Sequence, residues 1–116
     1  MAHLSFIAYR LSSFTDDSIT VAQIWIGDDS EHQILVSKKR LAILKELAPE
    51  NPYNHFIGFL KAIQNCEVGT ITLANMRDLS RRSTGTTKII APSPFAGDAE
   101  SAKTIFKKWV NPTYKK

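Results

Sequence analysis

The segment at positions 19–26 restricts the fold of this chain more than any other. It reads Ile-Thr-Val-Ala-Gln-Ile-Trp-Ile and contains neither proline nor glycine. Runs of β-branched and aromatic residues of this kind favour β-strands. The period of two places Ala22, Ile24 and Ile26 on one face of the predicted strand. The other face then carries Ile19, Val21, Gln23 and Trp25.

Two further strands are predicted beside this one, within residues 3–36. Leu4, Phe6 and Ala8 alternate with Ser5, Ile7 and Tyr9, so the first strand has apolar residues on both faces and we expect it to be covered at least partly on both sides. A Gly-Asp-Asp-Ser turn at 27–30 leads into a third strand at 33–36. The three strands form an antiparallel meander that we expect to be the floor of the fold.

Helical periodicity dominates the rest of the chain. Ser37 is a predicted N-cap for a helix at 38–48, which Pro49 ends, and Asn51 is a predicted N-cap for a second helix with Pro52 at its first position. A short helix is predicted at 72–82, and a fourth strand at 86–91 that Pro92 ends. Asp98 caps the last predicted helix. The apolar stripe predicted for the first helix comprises Leu41, Ile43, Leu44, Leu47 and Ala48.

The order of these elements predicts an α+β fold. We expect an antiparallel sheet of about four strands, with three to four helices packed mainly on one face. With 116 residues, the chain has the usual size of one domain, so we predict a single domain over 1–116.

Composition favours a cytoplasmic protein. Cys66 is the single cysteine, so an internal disulfide is excluded and nothing indicates secretion. The first residues lack the basic region and apolar core of a signal peptide, and no apolar run approaches the roughly 18 residues that span a bilayer. We therefore expect no membrane association.

No residue pattern indicates catalysis. A metal site at His3, His32 or His55 would need a third ligand nearby, and His3 and His32 become neighbours only if the first and third strands pair. The sequence contains no Gly-x-Ser-x-Gly elbow and no glycine-rich phosphate loop. The acidic residues fall in the two loops of the meander, at opposite ends of the second strand, and comprise Asp16, Asp17, Asp28, Asp29 and Glu31. We therefore predict no enzyme activity, no catalytic residues, no metal and no cofactor.

Basic residues suggest two alternative roles. The net charge is +4, which permits contact with nucleic acid or with an acidic protein surface without requiring either. Lysines and arginines on separate helices can form one phosphate-binding face, or they can simply solvate the outer faces of those helices. Similarly, Tyr9, Phe14 and Trp25 suit either a base-stacking platform or the core.

The order of parts resembles a known family. The chain opens with Leu-Ser-Phe-Ile-Ala-Tyr-Arg, and near its end Thr-Thr-Lys-Ile-Ile-Ala-Pro-Ser-Pro-Phe precedes Ile-Phe-Lys-Lys-Trp-Val. This arrangement resembles a family of small, uncharacterised bacterial proteins that are often encoded beside HipA-like kinases. The nearest correspondence lies at Pro92-Ser-Pro94 and at Ile105-Phe106. Ser18, Val21 and Gln23 stand where that family has Glu, Asn and Gly, so no role of those residues carries over.

The resemblance implies an antitoxin-like protein. The expected function is a non-enzymatic interaction protein that binds and modulates a HipA-like kinase or another defence-related enzyme, by covering it with an apolar and basic surface. The predicted partner-binding residues are Tyr9, Arg10, Trp25, Arg77, Arg81 and Arg82. A nucleic-acid-binding module and a phage- or mobile-element-encoded inhibitor are the alternatives, and the oligomeric state stays open.

Overall fold

The structure is a computed structural model that describes residues 2–11, 18–27, 31–65, 71–82 and 86–110, apart from the side chains of Arg82 and Trp109. The described strands are β1 (Ala2–Arg10), β2 (Ser18–Ile26), β3 (His32–Val36) and β4 (Thr87–Phe95). The described helices are α1 (Lys38–Leu47), α2 (Glu50–Gln64), α3 (Leu73–Arg82) and α4 (Ala99–Ile105), and α4 continues into a π-helical turn (Phe106–Val110).

The four strands form one antiparallel sheet in the order β3-β2-β1-β4. This arrangement confirms the predicted meander and the predicted α+β fold. Because β2 separates β1 from β3, His3 and His32 each pair with Ile26 and not with each other. The strand pairing that a histidine pair would need is therefore not present.

The main core lies between one face of the sheet and the helices α1, α2 and α3. Ile7 and Ile24 from the inner strands pack with Leu44 of α1, Phe56 of α2 and Met76 of α3, and all five side chains are fully buried. Burial of this kind supplies most of the favourable part of the free energy of folding, at about 25 cal/mol for each Å² of apolar surface buried.

A smaller cluster covers the opposite face of the sheet. Leu4 and Trp25, which are cross-strand partners, pack there with Ala102 of α4. Three helices thus cover one face and α4 covers the other. The first two strands are buried on both sides, as expected for β1 from its apolar residues on both faces.

A β-bulge in β2 alters the predicted faces of that strand. Ile7 pairs with Ala22, but the next residue, Ala8, pairs with Thr20, so Val21 is the extra residue. The bulge turns the side chain of Val21, and that of Ile19 beyond it, towards the main core. The prediction that these two share a face with Gln23 and Trp25 is therefore wrong.

The fourth strand extends further than predicted. It continues through Pro92 and Pro94 to Phe95, because an edge strand needs hydrogen-bond donors on only one side and tolerates proline. Leu4 pairs with Ser93 and Phe6 with Ile90, so a second bulge places Ala91 and Pro92 opposite Ser5. The Ser5 hydroxyl donates to the carbonyl of Ile90 at 2.6 Å, which helps to hold this irregular segment.

The helix starts agree with the predicted caps in two of three cases. Ser37 caps α1 by accepting a hydrogen bond from the backbone N–H of Arg40, and Asp98 caps α4 by accepting one from that of Ser101. The predicted cap at Asn51 is wrong, since α2 already begins at Glu50, directly after Pro49. The predicted helix at 72–82 is confirmed as α3, with Thr72 accepting from the backbone N–H of Asn75.

Within the described ranges, the longest helix, α2, has 15 residues, and no helix is both long and apolar enough to cross a membrane.

Candidate interaction surface

The two predicted aromatic contact residues are buried. Tyr9 is 2% exposed and Trp25 is 8% exposed. Their places on the two central strands account for this burial, because helices cover both faces of the sheet there. The prediction that they lie at the surface is wrong, and so is the related hypothesis that they form a base-stacking platform.

Trp25 has a structural role on the α4 side of the sheet. Its indole Nε1–H donates to the carbonyl of Gly97 at 3.2 Å, just before α4 begins. A Cβ atom on Gly27 would lie 2.4 Å from the Trp25 ring, so the ring occupies the space that a side chain at Gly27 would need. The residue therefore ties the start of α4 to the sheet.

Tyr9 belongs to the main core. Its ring meets that of Phe56 edge to face, with the ring centroids 5.2 Å apart and an interplanar angle of 89°, a favoured geometry for aromatic pairs. Burial raises the pKa of the Tyr9 phenol above its ordinary value, because desolvation disfavours the phenolate.

Two of the four predicted arginines form an exposed pair. Arg77 and Arg81 are exposed and lie one turn apart on α3, which places them on the same face of the helix. Arg10 is half-buried at the end of β1, where its backbone N–H donates to the carbonyl of Thr86. The side chain of Arg82 lies outside the described part of the chain.

The sequence reasoning missed an apolar surface on α1. Ile43 is 54% exposed and Leu47 is 62% exposed, although both were predicted to belong to the buried stripe. Only Leu44 of this helix is fully buried, and Ile43 lies about 100° away from it around the helix axis. The arc of α1 that meets the sheet is therefore narrower than its apolar stripe.

The exposed side chain of Lys39 extends this surface towards the start of α1. Lys39, Ile43 and Leu47 are spaced four residues apart and all three are exposed, so they form a line along one side of the helix. We call these three residues the α1 stripe.

Glu46, three residues after Ile43, is also exposed and lies beside the stripe, whereas the exposed Lys38 and Lys45 lie on the other side of the helix. The stripe therefore carries one basic residue, Lys39, and has an acidic residue at its side. The sequence did contain a signal for this exposed surface, because the predicted apolar stripe is wide for so short a helix.

The outer side of α2 carries an open depression. Its lining residues, which recur at helical spacing, are Asn51, Asn54, His55 and Gly58. A Cβ atom on Gly58 would meet nothing within 4 Å, so the missing side chain contributes to the depression. All four residues come from one helix, and His55 is the one titratable group among these described lining residues.

Across the described ranges, no three His, Cys, Asp or Glu side chains lie close enough together to hold a metal ion. Of the acidic residues predicted for the two loops, Glu31 is exposed just before β3, and Asp16, Asp17, Asp28 and Asp29 lie outside the described residues. Cys66 and Phe14 also lie outside them.

Comparisons of the chain with protein-family models, with curated proteins and with solved structures find no match. The resemblance to the family encoded beside HipA-like kinases therefore stays a prediction.

Proposed function

We propose that this chain is a cytoplasmic, non-enzymatic interaction protein that binds another protein through the α1 stripe. The observation that carries the proposal is the exposure of Ile43 and Leu47. Leaving a large aliphatic side chain in water forgoes about 1.5–3 kcal/mol that its burial would supply. Two such side chains adjacent on one helix provide an apolar contact that a partner can cover.

The surroundings of the stripe favour a particular kind of partner. Lys39 belongs to the stripe and Glu46 is exposed beside it, so an apolar groove with an acidic residue opposite Lys39 and a basic residue opposite Glu46 would complement α1 in both shape and charge. A HipA-like kinase or another defence-related enzyme is the partner class that the family resemblance implies, and the chain would act on it as an antitoxin does, by covering its surface.

The proposal is tested by binding of the neighbouring gene's product. The purified product is titrated with the wild-type chain and with the double variant Ile43→Ser, Leu47→Ser. We expect the double variant to bind at least about tenfold more weakly, equivalent to about 1.4 kcal/mol. Leu11→Ser is the matched control, since Leu11 is an exposed leucine outside α1, and it should bind like the wild type.

Failure of the neighbouring product to bind the wild-type chain would contradict the kinase-partner part of the proposal. Equal loss of binding in the Leu11→Ser control would contradict the assignment to α1. Circular dichroism of each variant establishes that it is folded before the titration.

Nucleic-acid binding through α3 is the second candidate, favoured by the exposure of Arg77 and Arg81 on one helical face. It predicts an affinity for DNA or RNA that falls steeply as salt increases, because binding releases counterions from the phosphates. Arg77→Ala with Arg81→Ala should then reduce the salt dependence, whereas Lys61→Ala, on a different helix, should not. Absence of retention on DNA and RNA at low salt would remove this candidate.

A further inference from the structure

The two edges of the sheet differ in how they are protected from pairing with another strand. Edge strands usually carry proline, lysine or a bulge, because a free row of backbone groups invites another strand to add. β4 has Lys88, a bulge and two prolines. β3 reads His-Gln-Ile-Leu-Val and pairs with β2 in continuous register, so it lacks all of these features.

The ladder between β2 and β3 shows which backbone groups of β3 are free to pair. Ser37 N–H donates to the carbonyl of Val21, and Gly27 N–H donates to that of Glu31. Because hydrogen-bonded positions alternate in an antiparallel ladder, Gln33 and Leu35 also bond to β2. The N–H and C=O groups of His32, Ile34 and Val36 therefore point away from the sheet. Among the described residues, no backbone hydrogen bond outside the ladder involves these three.

We propose that β3 pairs with β3 of a second copy of this chain, in antiparallel orientation about a twofold axis at Ile34. In this register Ile34 faces Ile34 of the second copy, and His32 faces Val36 in both directions. Each of these pairs exchanges two backbone hydrogen bonds. If the twofold axis is moved along the strand in either direction, one outward-facing residue of each copy loses its partner. The register centred on Ile34 therefore pairs the largest number of backbone N–H and C=O groups.

The charges at the two ends of β3 also suit this antiparallel arrangement. Glu31 is exposed just before the strand, and Lys38 and Lys39 are exposed just after it. Antiparallel pairing brings the acidic end of one copy beside the basic end of the other, as an isologous twofold interface requires. A second copy is thus a complementary occupant for this edge, and its addition continues the sheet from four strands to eight.

The oligomeric state tests this inference. Light scattering of the wild-type chain should give a mass twice the 13.0 kDa of one chain at micromolar concentrations. His32→Pro removes an N–H that points away from β2 and places a ring against the second copy, while proline is tolerated at the first residue of a strand. This variant should be a monomer with the circular dichroism of the wild type. The control His32→Ala keeps the N–H and should stay a dimer.

Cysteine cross-linking tests the register of the two β3 strands. It also tests dimerisation through β3 if His32→Pro does not fold. In a Cys66→Ser background, Ile34→Cys places two thiols opposite each other on the axis, with Cα atoms about 5.5 Å apart, within the range for a disulfide. It should form a covalent dimer on mild oxidation. Leu35→Cys, which faces Gln33 of the second copy and not Leu35, should stay monomeric on non-reducing gels.

Three results would overturn the inference: a monomeric wild-type chain, a dimeric His32→Pro variant, or equal cross-linking at positions 34 and 35. The inference does not depend on the proposed function, because the dimer test changes residues of β3 whereas the binding test changes Ile43 and Leu47 of α1. Loss of dimerisation in His32→Pro with retained partner binding would separate the two surfaces.

Discussion

Gln23 shows how a single polar residue is accommodated in a buried strand. Its side chain is 1% exposed, and its Nε2–H donates to the carbonyl of Ala102 in α4 at 2.7 Å. That carbonyl also accepts a hydrogen bond from the backbone N–H of Phe106, at the point where α4 changes into the π-helical turn. Within the described part of the chain, the Oε1 atom of Gln23 is buried without a hydrogen-bond partner, which costs about 1–3 kcal/mol.

Replacement of Gln23 by methionine should therefore be nearly neutral. The variant loses one hydrogen bond of about 1 kcal/mol but also removes the unpaired oxygen, and the Ala102 carbonyl keeps its bond from Phe106. We expect the free energy of unfolding, measured by urea denaturation, to change by less than about 1 kcal/mol. A loss of 3 kcal/mol or more would show that the amide bond outweighs the buried oxygen. Gln23→Ala is the comparison, because it leaves a cavity and should destabilise the protein more.

Tyr9 gives a prediction for the alkaline limit of stability. Burial raises the pKa of its phenol in the folded state above the unfolded value of about 10. Between the two pKa values the folded state binds more protons than the unfolded state, so stability falls as pH rises. This contribution is fully present below about pH 10 and is lost as pH rises through the folded-state pKa. In urea denaturation at increasing pH, Tyr9→Phe should show a smaller decrease than the wild type. Equal decreases in both proteins would contradict this assignment.

At the scale of elements, two adjacent apolar residues of α1 lie in different environments. Leu44 is fully buried against the sheet, whereas Ile43 is more than half exposed. Leu44→Ala should destabilise the protein by about 2–5 kcal/mol because it leaves a cavity in the core.

Ile43→Ala, the matched substitution one residue away, should change the free energy of unfolding by less than about 1 kcal/mol, since surface substitutions usually have small effects. Chemical denaturation of both variants measures the difference. Similar losses would show that Ile43 packs within the molecule and does not belong to an exposed surface.

At the scale of the whole molecule, the sheet should be protected unequally from its centre to its edges. β1 and β2 each have a strand on both sides and helices over both faces, so their amide protons should exchange only when the molecule unfolds globally. Hydrogen exchange measured by NMR at low protein concentration should show fast exchange for His32, Ile34 and Val36 and slower exchange for Gln33 and Leu35. Uniform protection along β3 in the monomer would contradict the deduced ladder.

The sequence by itself determined the elements and the general fold. The run at 19–26, the apolar alternation in β1, the caps at Ser37 and Asp98 and the periodicity at 72–82 depend on neighbouring residues only. Such local signals predict strands and helices because hydrogen bonding and side-chain direction repeat at fixed intervals. The α+β class followed from their order.

Only the tertiary structure decided which apolar residues are buried and which are exposed. The bulge at Val21 reassigned two side chains to the main core, and the edge position of β4 allowed the strand to pass through Pro92. The arc of α1 that meets the sheet left Ile43 and Leu47 exposed, and the helices on both faces buried Tyr9 and Trp25. Each outcome depends on where a distant element packs, and no local period in the sequence contains that information.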